Sequence, residues 1–190
     1  MRSSVPTSHG FVPLSVDGNT INNPLPSSNK SEFVNQFEFV GALDNSPYLC
    51  IAECFKFIDS VCGGKERYAA YCREIVLEGG SVVAATLGTE VMKNEGNTFQ
   101  KCFFSNVRLP LTLGNGPGSI KEHDRNRVTQ WLTSTTVTEY NTFMAFIFHG
   151  GAWWVRLSGQ VYLERRDFEW AGKILSEVCR RAQGGEYLNM

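Results

Sequence analysis

After about residue 66, the spacing of apolar side chains alternates between the helical and the strand period, and this alternation constrains the fold more than any other feature. The predicted elements are, in order, a helix over 65–93, a strand over 102–109, a helix over 120–140, strands over 142–148 and 153–158 that form a β-hairpin, and a last helix from 167 onward. This order predicts an α+β domain with helices on one face of an antiparallel sheet.

Several local signals refine these helices. Gly79-Gly80 lies inside the helix over 65–93, and each glycine costs about 1 kcal/mol relative to alanine there, so a kink or a tight packing contact is expected. Asp167 is predicted to cap the last helix, with Trp170 among its inward-facing residues. Ser46-Pro47 predicts the start of an earlier helix that Gly63-Gly64 ends.

The first 45 residues are rich in Ser, Asn, Pro and Gly and show no sustained periodicity. So long a stretch with little regular structure is unusual inside a self-contained domain, and we expect it to lie against something else. The sequence therefore predicts two parts: residues 1–65, a loop-rich segment with one helix, and residues 66–190, the α+β domain.

The composition excludes two classes of partner. A formal net charge of −1 produces no field that attracts phosphate backbones or anionic lipids, so we expect neither nucleic acid nor a membrane as a partner. The longest apolar stretch, 143–148, is too short to cross a bilayer. Six scattered cysteines without a C-x-x-C pair favour reduced thiols over a metal site. A soluble, cytoplasmic protein is predicted.

Arg156 is the first candidate for chemistry. It lies on the returning strand of an otherwise apolar hairpin, and strand alternation places Trp154, Arg156 and Ser158 on one face. An arginine beside a large aromatic residue is suited to bind a carboxylate through two parallel hydrogen bonds. Periodicity alone equally favours an arginine on the exposed face of an edge strand with an indole stacked on it.

Other candidates are weaker. His149 precedes two glycines and has no carboxylate nearby in sequence to orient it, so we interpret it as a turn residue. The glycine-rich segment 114–118 lacks the Lys-Ser/Thr ending of a phosphate-binding loop and is interpreted as a plain loop.

Five segments in order resemble the class V branch of the fold type I pyridoxal-phosphate (PLP) enzymes, in particular the isopenicillin N epimerase-like and hercynylcysteine sulfoxide lyase-like members. They are VPTSHGF at 5–11, FEFVGALDNSPYL at 37–49, LGTEV at 87–91, VRLP at 107–110 and WWVRLSGQVY at 153–162. The resemblance covers nearly the whole chain. It implies a residual segment of the PLP-binding large domain at 1–65 and the small C-terminal domain at 66–190.

The resemblance also implies roles for particular residues. Arg156 matches the arginine that binds the α-carboxylate of the amino-acid substrate, and Gly41 matches a position at the cofactor phosphate, where the family's neighbouring threonine is replaced by Ala42. The Schiff-base lysine of the family would precede Met1, and no lysine of the chain matches it. We therefore expect a C-terminal part that lacks catalytic residues, is inactive alone and does not hold PLP by itself.

Three functional hypotheses follow. The first is a PLP-dependent aminotransferase or lyase that acts on an amino acid once a large domain completes it, as a homodimer or with an upstream partner chain. The second is a non-catalytic accessory or remnant subunit. The third, from a different class, is a free-standing α+β domain that binds a small acidic ligand through Arg156.

Overall fold

A computed structural model describes residues 46–189, together with Ser31 and Val34. The chain divides into two compact units, residues 1–55 and residues 56–190. The helices are α1 (Ser46–Leu49), α2 (Ile51–Ser60), α3 (Lys65–Leu87), α4 (Arg125–Tyr140) and α5 (Arg165–Gln183), and the strands are β1 (Phe104–Arg108), β2 (Ala145–His149) and β3 (Ala152–Ser158). Short 3-10 helices occupy Thr98–Lys101, Glu122–Asp124 and Glu186–Asn189. The predicted boundary at residue 65 stays a prediction.

The three strands form an antiparallel sheet in the order β1-β3-β2. His149 pairs with Ala152, so the hairpin between β2 and β3 has the two-residue loop Gly150-Gly151. Both glycines have left-handed backbones, with φ of 59° and 77°, which is the conformation that the tightest hairpin turn requires. The predicted hairpin is therefore confirmed, and β3 is the central strand of the sheet.

A fourth extended segment borders β1. The helix predicted over 65–93 ends earlier, at Leu87, because Gly88 adopts a left-handed φ of 65° and closes the helix. The chain then runs along β1, where Val91 pairs with Val107 and the Met92 amide donates to the Asn106 carbonyl at 2.8 Å. The prediction of helix for 88–93 was wrong, and these residues protect one edge of the sheet instead.

The core lies between one face of the sheet and the helices. Alternate strand residues are buried there and pack in one apolar cluster with α3, α4 and α5: Val107 on β1, Phe146 on β2, and Trp153, Val155 and Leu157 on β3. The Trp153 indole N–H donates to the Thr129 hydroxyl of α4 at 2.9 Å, which satisfies its one polar atom. The predicted α+β architecture, with helices on one face, is confirmed.

The glycine pair in α3 marks close packing. A Cβ built on Gly79 would lie 2.3 Å from the Phe168 ring of α5, and one on Gly80 would lie 2.9 Å from the Ser105 side chain of β1. Only glycine permits α3 to approach both α5 and the sheet so closely. Of the two alternatives predicted for this pair, the structure supports tight packing.

Two details of α5 differ from prediction. Glu164, not Asp167, is the N-cap residue; Asp167 lies three positions into the helix and its carboxylate accepts the Glu164 amide at 2.7 Å, which completes a capping box. Trp170 is 46% exposed and does not belong to the core. None of the helices in the described residues combines the length and apolar character needed to span a membrane.

Candidate functional site

The face of the sheet opposite the helices carries the candidate site. Strand alternation places ten side chains on this open face: Phe104, Asn106 and Arg108 from β1; Ala152, Trp154, Arg156 and Ser158 from β3; and Ala145, Ile147 and His149 from β2. All of them except Ala152 are exposed or half-buried, whereas the alternate set is buried or packs against the core. The predicted shared face of Trp154, Arg156 and Ser158 is therefore confirmed.

Arg156 lies at the centre of the open face. In the strand register it is opposite Asn106 on β1 and Ala145 on β2. Its guanidinium is 5.9 Å from the centre of the Phe104 ring, an arrangement in which the ring face attracts the cation. Among residues 46–189, no hydrogen bond or ion pair engages this guanidinium, so its N–H groups are available to a ligand.

This placement corrects the alternative interpretation of Arg156. That interpretation had an edge strand and a stacked indole, but β3 is central and the aromatic partner is Phe104. The Trp154 indole N–H instead donates to the His149 carbonyl at 3.0 Å, within the hairpin. The polar atom of the indole is therefore engaged within the hairpin.

Other arginines contrast with Arg156. Arg108, on the same open face, bonds Glu90 at 3.0 Å. Arg165 bonds Glu169 at 2.8 Å, and Arg181 bonds Glu139 at 2.8 Å. Since a guanidinium already paired with a carboxylate offers little to a second one, Arg156 is the better candidate for an incoming anion.

A cleft of about 440 Å³ opens beside Arg156, where β3 meets the start of β2 and of α5. Its lining combines polar groups that can orient a ligand with aromatic side chains that are exposed: Thr142, Phe143, Ser158, Gln160, Tyr162 and Trp170. Such a lining can hold a small amphipathic molecule whose carboxylate contacts Arg156.

His149 lies away from this cleft. It occupies the hairpin end of the open face and lines a larger, open cavity of about 980 Å³ together with Trp154 and Glu90. No ion pair to His149 occurs within the described part of the chain, so nothing there orients its ring. The structure places it at the end of β2, where it pairs with Ala152 next to the two-residue turn, and not in the turn itself. No group of His, Cys, Asp or Glu among the described residues is arranged to hold a metal ion.

The surroundings of the described lysines do not match those of a Schiff-base lysine. PLP enzymes hold the cofactor through a lysine whose amine is desolvated in a pocket or activated by a neighbouring cation. Every lysine in 46–189 is exposed: Lys56, Lys65, Lys93, Lys101, Lys121 and Lys173. Gly41, Ala42 and Lys30 lie outside the described residues, so the role predicted for Gly41 stays a prediction.

The ion pairs of Arg181, away from the open face, link α5 to α4 and to the C-terminal 3-10 helix. Arg181 of α5 bonds both Glu139 and Glu186, and its guanidinium lies 5.4 Å from the centre of the Trp131 ring. Hydrogen bonds from Arg181 hold the pKa of both carboxyl groups below the usual glutamate value, and they raise the pKa of Arg181.

Sequence reasoning missed Phe104 and Asn106. Both occupy alternate positions of a strand that was predicted, and the signal was therefore the same alternation that selected Arg156. The register that pairs β1 with β3 could not be predicted, because the two strands are separated by about 45 residues of chain.

The chain is similar in sequence to known proteins. No protein-family model matches the chain. It is 34% identical over 199 residues to the L-cysteine desulfhydrase-like protein lolT2 of Epichloe uncinata, covering 94% of this chain and 42% of that protein. It is 34% identical over 202 residues to lolT1 of the same organism, covering 94% and 43%. It is 32% identical over 149 residues to the hercynylcysteine sulfoxide lyase of Schizosaccharomyces pombe, covering 78% and 32%. The chain thus spans less than half the length of these relatives.

Proposed function

Because this chain is homologous to the L-cysteine desulfhydrase-like proteins and to hercynylcysteine sulfoxide lyase, class V aminotransferase-like enzymes that depend on PLP, we propose that it supplies the substrate-binding small domain of such an enzyme. The substrate class is an amino acid that carries sulfur, since both relatives' names refer to one. The role of this chain is to bind the α-carboxylate of that amino acid through Arg156.

One observation carries the proposal. The Arg156 guanidinium is exposed on the central strand beside a cleft, and it has no carboxylate partner among residues 46–189. A planar guanidinium can form two parallel hydrogen bonds with a carboxylate, and this geometry fixes the orientation of the ligand as well as its charge. The resemblance to the class V PLP enzymes likewise implies that Arg156 binds the α-carboxylate of the substrate.

The cofactor has to come from elsewhere in this proposal. The exposed lysines of 46–189 do not suit Schiff-base chemistry, and the relatives are more than twice as long as the matched region. We propose that the Schiff-base lysine lies in sequence outside these 190 residues, on a large domain or a separate chain. A homodimer and a cytoplasmic location belong to the same proposal.

The test of Arg156 is a carboxylate-specific titration followed by NMR. L-Cysteine is added to the ¹⁵N-labelled chain, and cysteamine, which lacks only the carboxylate, is the control ligand. L-Cysteine is expected to shift the Arg156 Nε–H resonance with a Kd on the order of millimolar, since one partly exposed ion pair is weak. Cysteamine should leave it unchanged.

Two variants separate this site from general effects of charge. Arg156→Gln should abolish the response of the indole N–H of Trp170, which lines the cleft, whereas Arg108→Gln, which changes an arginine on the open face that Glu90 already neutralises, should retain it. Equal responses to L-cysteine and cysteamine, or an undiminished response in Arg156→Gln, would refute the proposed role.

A second candidate function is a non-catalytic accessory subunit, which the exposure of the described lysines favours. An absorbance titration with PLP, followed by borohydride, tests the premise that both functions share, that the chain alone forms no Schiff base with PLP. We expect no saturable band near ~420 nm from the chain alone. A saturable band trapped on one lysine would show a cofactor site within the chain and contradict both forms of the proposal.

A further inference from the structure

Asn106 presents a feature that neither packing nor the carboxylate site explains. It lies on the open face directly opposite Arg156 in the register of β1 and β3. Its Oδ1 is buried and has no hydrogen-bond partner among the described residues. Among the described residues its Nδ2 donates to the Met92 thioether sulfur, a weak acceptor, at 3.8 Å.

An unpaired buried acceptor destabilises a fold, so its retention needs a reason. The cavity that borders Asn106 measures about 10 Å³ and is lined mainly by apolar side chains, including Met92, Phe99 and Phe104, which leaves room for one water at most. The donor-rich group nearest in the register is the Arg156 guanidinium, which has five N–H groups and no acceptor.

The geometry permits a second arrangement of Arg156. Side chains directly opposite on antiparallel strands have Cβ atoms about 5 Å apart, so a rotamer change can move the guanidinium from Phe104 to Asn106. Phe104 is two residues along β1 from Asn106, on the same face. The ring and the amide therefore define two neighbouring positions for one guanidinium.

We propose that Asn106 is a positioning residue for Arg156: its amide oxygen accepts one guanidinium N–H in the carboxylate-binding arrangement, and the opposite edge of the fork faces the ligand. The inference rests on the proposed function of Arg156 and adds the residue that orients it. In this arrangement Asn106 Oδ1 gains a hydrogen-bond donor, and the Arg156 guanidinium moves away from the Phe104 ring.

A double-mutant cycle in the ligand-free chain tests whether the two side chains meet. Asn106→Asp and Arg156→Gln are made singly and together, and urea unfolding midpoints are measured. A carboxylate at position 106 should be tolerated when Arg156 is present, so Asn106→Asp should lower the midpoint by about 0.3 M more in the Arg156→Gln background than in wild type. The same cycle with Arg125→Gln, an arginine outside the sheet, should be additive. Additivity with Arg156→Gln would overturn the inference.

The titration with L-cysteine tests the orienting role. Asn106→Leu, which removes the acceptor, should weaken binding about three- to tenfold, the effect of one hydrogen bond. Asn106→Asp should weaken it further, because its carboxylate competes with the ligand for the guanidinium. Phe104→Leu removes only the alternative position and should leave binding unchanged or tighter.

The outcomes of the two experiments separate the two proposals. Wild-type affinity in Asn106→Leu would overturn the positioning role even if Arg156 binds the carboxylate as proposed. If wild type itself does not distinguish L-cysteine from cysteamine, the proposed function of Arg156 fails, and the double-mutant cycle still decides whether Asn106 and Arg156 interact.

Discussion

Replacing Gly79 by alanine is expected to destabilise the chain, although the same change in an ordinary helix interior stabilises it by about 1 kcal/mol. A Cβ at this position would lie 2.3–2.6 Å from three atoms of the Phe168 ring, which is itself 4% exposed. Carbon atoms pack at about 3.5–4.0 Å, so the ring would have to move by more than ~1 Å within the core.

Overpacking of this kind costs about 1–3 kcal/mol and occasionally more, and the short distances place Gly79→Ala at the upper end. After subtraction of the helix gain, we expect a net loss of about 2 kcal/mol. For a chain of this size, that loss corresponds to a fall in Tm of roughly 4–8 °C. Urea unfolding followed by circular dichroism measures it directly.

The control is Gly172→Ala in α5. A Cβ there would lie 3.1 Å from Thr86 Cβ, a much smaller overlap than the 2.3 Å at Gly79, so this variant should lose far less stability. Phe168→Leu in the Gly79→Ala background should recover part of the loss by removing the ring. A Gly79→Ala variant as stable as wild type would refute the close approach of α3 and α5.

Three further predictions concern stability and reactivity. Arg181→Met should destabilise the fold by about 2 kcal/mol, because a largely buried guanidinium that bonds both Glu139 and Glu186 is lost. The folded pKa of each of these carboxyl groups is lowered, so their contribution to the stability of the fold is fully present above the unfolded pKa and is lost as the pH falls through the folded pKa. The urea midpoint should therefore decline less between about pH 5 and pH 3 in Arg181→Met than in wild type. Gly151→Ala should cost about 1–2 kcal/mol in urea unfolding, because an alanine resists a φ of 77°, and an unchanged midpoint would contradict the turn geometry. Burial raises the pKa of the Cys179 thiol to about 12, so a thiol reagent at about pH 8 should modify Cys179 only in urea. Peptide mapping distinguishes it from the exposed Cys50 and Cys54, and rapid labelling of Cys179 itself in the native chain would contradict its burial.

The site was partly predictable because strand alternation is a local property. It placed Trp154, Arg156 and Ser158 on one face without knowledge of what that face contacts. It did not indicate which aromatic ring lies against Arg156, since the Phe104 ring comes from another strand. Nor could it decide against the alternative of an edge strand for Arg156, because strand order depends on long-range pairing.

Boundaries were predicted less well than elements. The helix over 65–93 was extended six residues too far because Val91 continued its apolar spacing, and only the bridge to Val107 shows that this residue belongs to the sheet edge. Asp167 was correctly predicted to cap the helix start, but it does so from the third helical position and Glu164 is the N-cap residue. Sequence alone did not separate the two, because both are members of the same capping box.

By itself, the sequence determined the α+β class, the hairpin and the candidacy of Arg156, because these follow from periodicity, turn residues and side-chain chemistry within short segments. Tertiary structure alone decided that β3 is central, that Gly79 and Gly80 mark close contacts, and that Arg156 faces Asn106 and Phe104. These properties depend on which distant segments meet, and that outcome depends on the free energy of the whole core rather than on any local pattern.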